Sequence, residues 1–135
     1  MLENSIYQKG LLYLLHSVAL ADGVAHDSEK KALAQIKDHE NIPEKLYSEF
    51  IKALDRYSEQ EIYQKGISLI LRCKPQERRR AMAWVYRMIE ADNHVDIKEA
   101  VWLLNTIRRA AADWSEVNDL SKKLPSFFDS QSQSA

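Results

Sequence analysis

The sequence predicts an all-α protein, a single compact domain of six to seven helices containing two pseudo-symmetric helix–turn–helix hairpins. Three observations carry that reading. The 135-residue chain is rich in Leu, Ala, Glu, Lys and Gln, with only three Gly and three Pro, a balance that favours helix. No stretch alternates polar and apolar residues with the period of two that a half-buried strand needs. Finally, the stretch from Ala21-Asp22-Gly23 to Glu29 recurs without a gap seventy residues later, from Ala91-Asp92-Asn93 to Glu99, and Leu33 and Leu103 extend the match. A long apolar pattern flanks each copy. Each therefore reads as helix, tight turn, helix, with one carboxylate closing the first helix and another just inside the second.

Taken in order, Ser5-Ile6-Tyr7-Gln8 has the form of a capping box, in which hydroxyl and amide satisfy reciprocal backbone donors. Leu11, Leu12, Leu14, Leu15, Val18 and Ala19 then cover nearly every side of the first helix, so neighbours must surround it. It closes at Asp22-Gly23, where glycine accepts the left-handed conformation. The second helix starts near Asp27 or Ser28, turns Ala32, Leu33 and Ile36 inward, and ends around His39. Pro43 suits the first turn of a third helix, where its missing N–H is not needed; Leu46, Phe50, Ile51 and Leu54 mark its inner face. Ser58-Glu59-Gln60-Glu61 is a second capping box, opening a fourth helix through Ile62, Ile67, Leu69, Ile70 and Leu71. The pentapeptide Ile62–Gly66 repeats Ile6–Gly10, but out of register with the main repeat, and is read as coincidence.

Pro75 separates the fourth helix from a fifth, because the residue before a proline disfavours the α region. The fifth turns Met82, Val85, Tyr86 and Ile89 inward and ends at Asp92-Asn93, with Asn93 standing where the first copy has Gly23. Asp96-Ile97-Lys98-Glu99 opens a sixth helix that buries Val101, Leu104, Ile107 and Ala111. A short seventh runs from Ser115 to Leu124 and stops at Pro125. The helical domain spans 1–125, and the Ser/Gln-rich tail 126–135 is expected to be disordered.

The composition excludes several classes. A net charge of −1 lacks the basic excess of a nucleic-acid binder. One cysteine, Cys73, rules out an internal disulfide framework and fits a reducing, cytoplasmic setting. No run approaches the roughly 18 apolar residues of a membrane span, and the N-terminus lacks the basic region of a signal peptide. There is no nucleophile elbow and no glycine-rich phosphate loop. No enzyme and no small-molecule substrate are expected.

The doubled turn admits two readings. A carboxylate in a last helical turn opposes the helix dipole, so Asp22 and Asp92 need something positive nearby. Free N–H groups of the turn and of the next helix could supply it, making each Asp a brace that sets the angle of the hairpin. A divalent cation could supply it instead. Asp22, Asp27 and Glu29 in one turn, and Asp92, Asp96 and Glu99 in the other, offer oxygen ligands suited to Ca²⁺ or Mg²⁺. The spacing is not that of an EF-hand. His26 and His94 could add nitrogen for Zn²⁺.

An Ala-Asp-Gly turn with a Glu seven residues past the Asp, occurring twice in a helical chain of this length, resembles the TerB (tellurite resistance protein B-like) family. The resemblance covers roughly Ile6 to Ala112. It implies a compact pseudo-symmetric helical domain, linked to tellurite and stress resistance, without catalytic activity and with partners in membrane-associated or chaperone-linked assemblies. It further implies that acidic turns chelate metal, at positions falling on Asp22, Glu29, Asp92 and Glu99. The family's apolar residue three past the Asp is matched by Val95 but only by Ala25 in the first copy. No J-domain His-Pro-Asp tripeptide is present, so the resemblance is to the stand-alone form.

A second constellation lies between Arg72 and Arg87, with six basic residues and one acid, Glu77. Arg78, Arg79 and Arg80 stand in the first turns of the fifth helix, the wrong end for cations. Arg80 and Arg87 flank Trp84, which could stack on a guanidinium. An acidic protein partner or a membrane surface could dock there; alternatively the run is a solvated face whose stems cover apolar surface.

Overall fold

In the computed structural model, residues 2–22, 26–90, 97–110 and 112–124 are described. They form seven helices: α1 (Leu2–Asp22), α2 (His26–His39), α3 (Glu44–Leu54), α4 (Glu59–Leu71), α5 (Pro75–Glu90), α6 (Ile97–Arg109) and α7 (Trp114–Ser121). There is no strand among them. The all-α expectation holds, with each predicted helix in its place.

α1 is the axis. Tyr7, Leu11, Leu12, Tyr13, Leu14, Leu15, Val18 and Ala19 are all buried, which takes in every side of the helix. It packs chiefly on α4 and α5 and touches α2 and α3. α1 begins earlier than the capping-box reading placed it, since Ser5 lies inside the helix. Gln8 is used differently: its side-chain amide donates to the carbonyls of Glu40 (3.1 Å) and Asn41 (3.3 Å), tying the α2–α3 turn to α1.

That turn is a Schellman closure. Asn41 takes φ 54°, Ile42 N–H reaches back to Lys37 C=O at 2.9 Å, and Asn41 N–H to Asp38 C=O at 3.4 Å. Asn tolerates the left-handed region better than most residues, and Ile42 buries itself beside the stop. Pro43 is the N-cap of α3, one residue earlier than expected, while the Ser58 capping box of α4 is present in full.

α1 and α4 cross where both lack a side chain. A Cβ on Gly10 would lie 2.9 Å from two side-chain carbons of Ile70, and a Cβ on Gly66 would lie 2.9 Å from two of Leu14. Each glycine thus faces the residue four beyond the other glycine, so the helices run in opposite senses about a local two-fold. The two glycines end the pentapeptide repeat. The final glycine of each pentapeptide thus occupies an equivalent place at the α1–α4 crossing.

α6 differs from expectation. Leu103, Thr106, Ile107 and Ala110 are buried, whereas Val101 and Leu104 are about half exposed; Ala111 lies outside the described residues. The helix is rotated because Tyr63 of α4 offers both a hydroxyl, 2.9 Å from Thr106 Oγ1, and a ring 5.6 Å from Trp102. A threonine face therefore turns inward in place of a valine and a leucine. In α3 and α4, Ile51 and Leu71 also lie outward. Trp114 of α7 packs edge-on against Tyr86 of α5, with ring centroids 5.1 Å apart.

Gly66→Ala gains helix propensity of about 1 kcal/mol but meets Leu14, including its backbone nitrogen at 3.2 Å. Overpacking costs about 1–3 kcal/mol, so the expected net result is a lower denaturation midpoint with the helical circular dichroism retained. Gly66→Ala at or above wild-type stability would show that the crossing can open without cost.

Candidate functional site

The acidic turn stands between α1 and α2. α1 closes on Asp22 with no basic residue in its last turn, and α2 carries Asp27 and Glu29 in its first. The polarity of α2 suits those two acids and that of α1 opposes Asp22. Asp27 is exposed. Glu29 is not: its carboxylate is buried, and Oε2 lies 2.5 Å from His16 Nδ1 of α1. His16 in turn packs edge-on against Phe50 of α3. Glu29 therefore closes the hairpin through a carboxylate–imidazole contact, with one of its two oxygens already engaged. As a cation's ligand set the first turn fits in part, with Asp27 available and Glu29 half committed.

The side chains of Asp22, His26 and Glu99 are not among those described, and Asp92, Asn93, His94, Val95 and Asp96 lie outside the described residues altogether, as does Ala25. Among the described residues no group of three or more His, Cys, Asp or Glu stands close enough together to hold a metal.

Four arginines of the basic run are engaged within the fold. Arg78 Nη1 donates to the Cys73 carbonyl at 2.6 Å, and Arg79 pairs with Glu116 of α7 at 3.1 Å. Arg80 Nε donates to Glu40 Oε2 at 2.6 Å, and Arg87 Nη2 to the Leu124 carbonyl at 3.0 Å. Trp84 is fully buried, and its Nε1 donates to Glu40 Oε2 at 2.7 Å. Arg79 and Arg87 clamp α7 to α5, and Arg80 and Trp84 hold the end of α2. Arginines early in α5 oppose its dipole, and acids or carbonyls from other segments answer each of them. Cys73 is buried, and its thiol points to the Leu69 carbonyl at 3.5 Å.

Glu40 and His16 went unread in the sequence. Glu40 stands just past α2 with its side chain largely covered, accepting from Arg80 and Trp84 together, while the His39 ring packs edge-on against Trp84 at 5.3 Å. The Tyr7 hydroxyl is buried nearby without a partner in hydrogen-bond geometry. Burial raises its pKa well above the ordinary tyrosine value, and the negative charge of Glu40 raises it further. An acid next to helix-ending residues gives no sequence signal that separates a buried hub from a solvated charge.

The fold and this turn define a helical domain with an acidic hairpin, in which four arginines of α5 are engaged in packing. The family model described as Tellurite resistance protein TerB matches residues 8–122, and the chain belongs to that family. No curated protein and no solved structure matches it.

Removing the Glu40 carboxylate leaves the buried Trp84 N–H without its acceptor, whereas Arg80 is exposed enough to regain water. Glu40→Ala is expected to cost about 2–4 kcal/mol, read by urea denaturation followed through Trp fluorescence; a loss near zero would remove Glu40 from its place as hub. The Tyr7 hydroxyl lies beside Glu40 but outside hydrogen-bond geometry, so Tyr7→Phe should be close to neutral in stability at neutral pH. Its pH dependence has a defined sign. The unfolded tyrosine releases its proton near about pH 10 and the folded one does so only higher. Wild-type stability should therefore fall as pH rises above about 10, and Tyr7→Phe should flatten that decline.

Proposed function

We propose that this chain is a non-catalytic, cytoplasmic TerB module of a tellurite- or stress-resistance system that works by binding. It takes up a divalent cation at its acidic helix–turn–helix loops and, as an assembled domain, docks protein partners, membrane-associated ones among them. The observation that carries the reading is membership of the TerB family across nearly the whole domain, joined to the polarity of the hairpin. α1 ends on a carboxylate with no basic residue in its last turn, and an exposed Asp27 follows at the start of α2. Hard oxygen donors of this kind suit Ca²⁺ or Mg²⁺, with the His26 and His94 positions offering nitrogen for Zn²⁺. Asp22 and Asp27 form the first loop's share; Asp92, Asp96 and Glu99 form the second's. Glu29 contributes through the oxygen that His16 does not hold.

After chelation, adding Ca²⁺, Mg²⁺ or Zn²⁺ should raise the melting temperature, because a ligand at about a hundred times its Kd stabilises by about 2.7 kcal/mol. Asp22→Asn with Asp92→Asn should abolish the rise. The His16 ring resonances should shift on titration if the cation draws on Glu29. No thermal shift with any of the three ions at millimolar concentration leaves the acids as turn braces and removes the cation from the function.

A further inference from the structure

The α1–α4 crossing holds a groove of about 490 Å³, within the size range of small-molecule sites. It shares no residue with the acidic turns. Lys9 and Tyr13 line it from α1, and Lys65 and Leu69 from α4. These are equivalent pairs: the offset that carries Gly10 to Gly66 carries Lys9 to Lys65 and Tyr13 to Leu69. The groove therefore sits on the local two-fold of the crossing, and the repeat has delivered one lysine from each helix into it.

Among the described residues no acid lines the groove, and Glu49 acts on it only at a distance, through Tyr13. Both lysines are partly buried, and neither has a carboxylate within ion-pair distance among the described residues. Glu61, one turn before Lys65, is committed to the Ser58 backbone in the α4 capping box. The Lys65 ammonium rests 4.3 Å from the centroid of the Tyr57 ring, a contact that does not itself neutralise it, and its attraction to Glu61 falls short of an ion pair. Two like charges brought into one partly dry groove repel, and an anion between them would turn that repulsion into attraction. The Gln64 amide and the Ser68 and Tyr57 hydroxyls add neutral donors at the same wall.

We propose that this groove binds a small phosphorylated molecule, with the phosphate between Lys9 and Lys65 and an apolar body against Tyr13, Tyr57 and Leu69. A phosphate monoester carries enough charge for two ammonium groups and enough oxygens for the neutral donors as well. Two tyrosine rings and a leucine give a flat apolar body a surface that inorganic phosphate would not use.

The test is titration of the full chain with phenyl phosphate by NMR and calorimetry, with inorganic phosphate as comparator. Expected are shifts at Tyr13, Tyr57, Gln64 and Ser68, tighter binding of phenyl phosphate than of inorganic phosphate, and a loss of about tenfold or more in affinity for Lys9→Gln with Lys65→Gln. Lys30→Gln with Lys45→Gln, at two exposed lysines, should leave affinity unchanged; thermal melts of both variants confirm that they fold. No binding at millimolar phenyl phosphate, or binding that survives the Lys9 and Lys65 substitutions, overturns the proposal. Capture by vesicles containing phosphatidic acid without binding of phenyl phosphate would assign the lysines to a membrane surface and overturn it equally.

Discussion

The close approach of α1 and α4 is the constraint on which the rest of the structure depends. Two helices whose facing positions are glycine can bring their backbones together, and here each glycine receives the side chain one turn beyond the other. That fixes the depth at which α1 is buried. With α4 on one side, α5 on another and α2 and α3 closing the remainder, α1 has no solvated stripe along its middle. An all-round apolar helix of this kind cannot be stable alone; its neighbours must be built to surround it.

Burying α1 this way gives its polar side chains a limited choice of partners, and each choice positions another segment. Gln8 fastens the α2–α3 turn. His16 meets Glu29 and so sets the start of α2. A buried polar group without a partner costs free energy, so these contacts specify the hairpin as well as stabilise it. The same logic extends to α5. Glu40, delivered by the Schellman turn that Gln8 holds, takes Arg80 and Trp84, and the remaining arginines of α5 reach the Cys73 carbonyl, Glu116 and the Leu124 carbonyl. What reads in one dimension as a basic patch is, in three, the fastening of α2, α5 and α7 to one another.

The number and order of helices were legible because capping residues, prolines and long apolar patterns act locally. Ser58 and Pro75 each impose their effect within a turn of their own position. The inward face of α6 was not legible. Val101, Trp102, Leu103 and Leu104 form an apolar run with no preferred side, and a tyrosine hydroxyl on a different helix decides that Thr106 goes in and Leu104 out. The glycine repeat was visible but its meaning was not, since helix crossings leave no local periodicity. The acidic turn could be recognised by residue type, while the engagement of Glu29 by His16 depends on a residue thirteen positions away that carries no spacing signature.

A net charge of −1 conceals a polarity along α1 itself. Asp22 ends the helix and Lys9 lies thirteen residues before it, about 20 Å along the axis at 1.5 Å per residue. That exceeds the physiological screening length of about 8 Å, so a cation at the turn and an anion at the crossing would barely sense each other through solvent. They would share the helix, however, and a rigid, fully packed helix transmits displacement where screened charge does not. Coupling between the two ends, if measured, would thus report movement of α1 against α4 at the glycine crossing, and its absence would mean that the crossing holds α1 fixed. The residues that set the fold's depth are in this way also the ones that decide whether the two ends of α1 act together or apart.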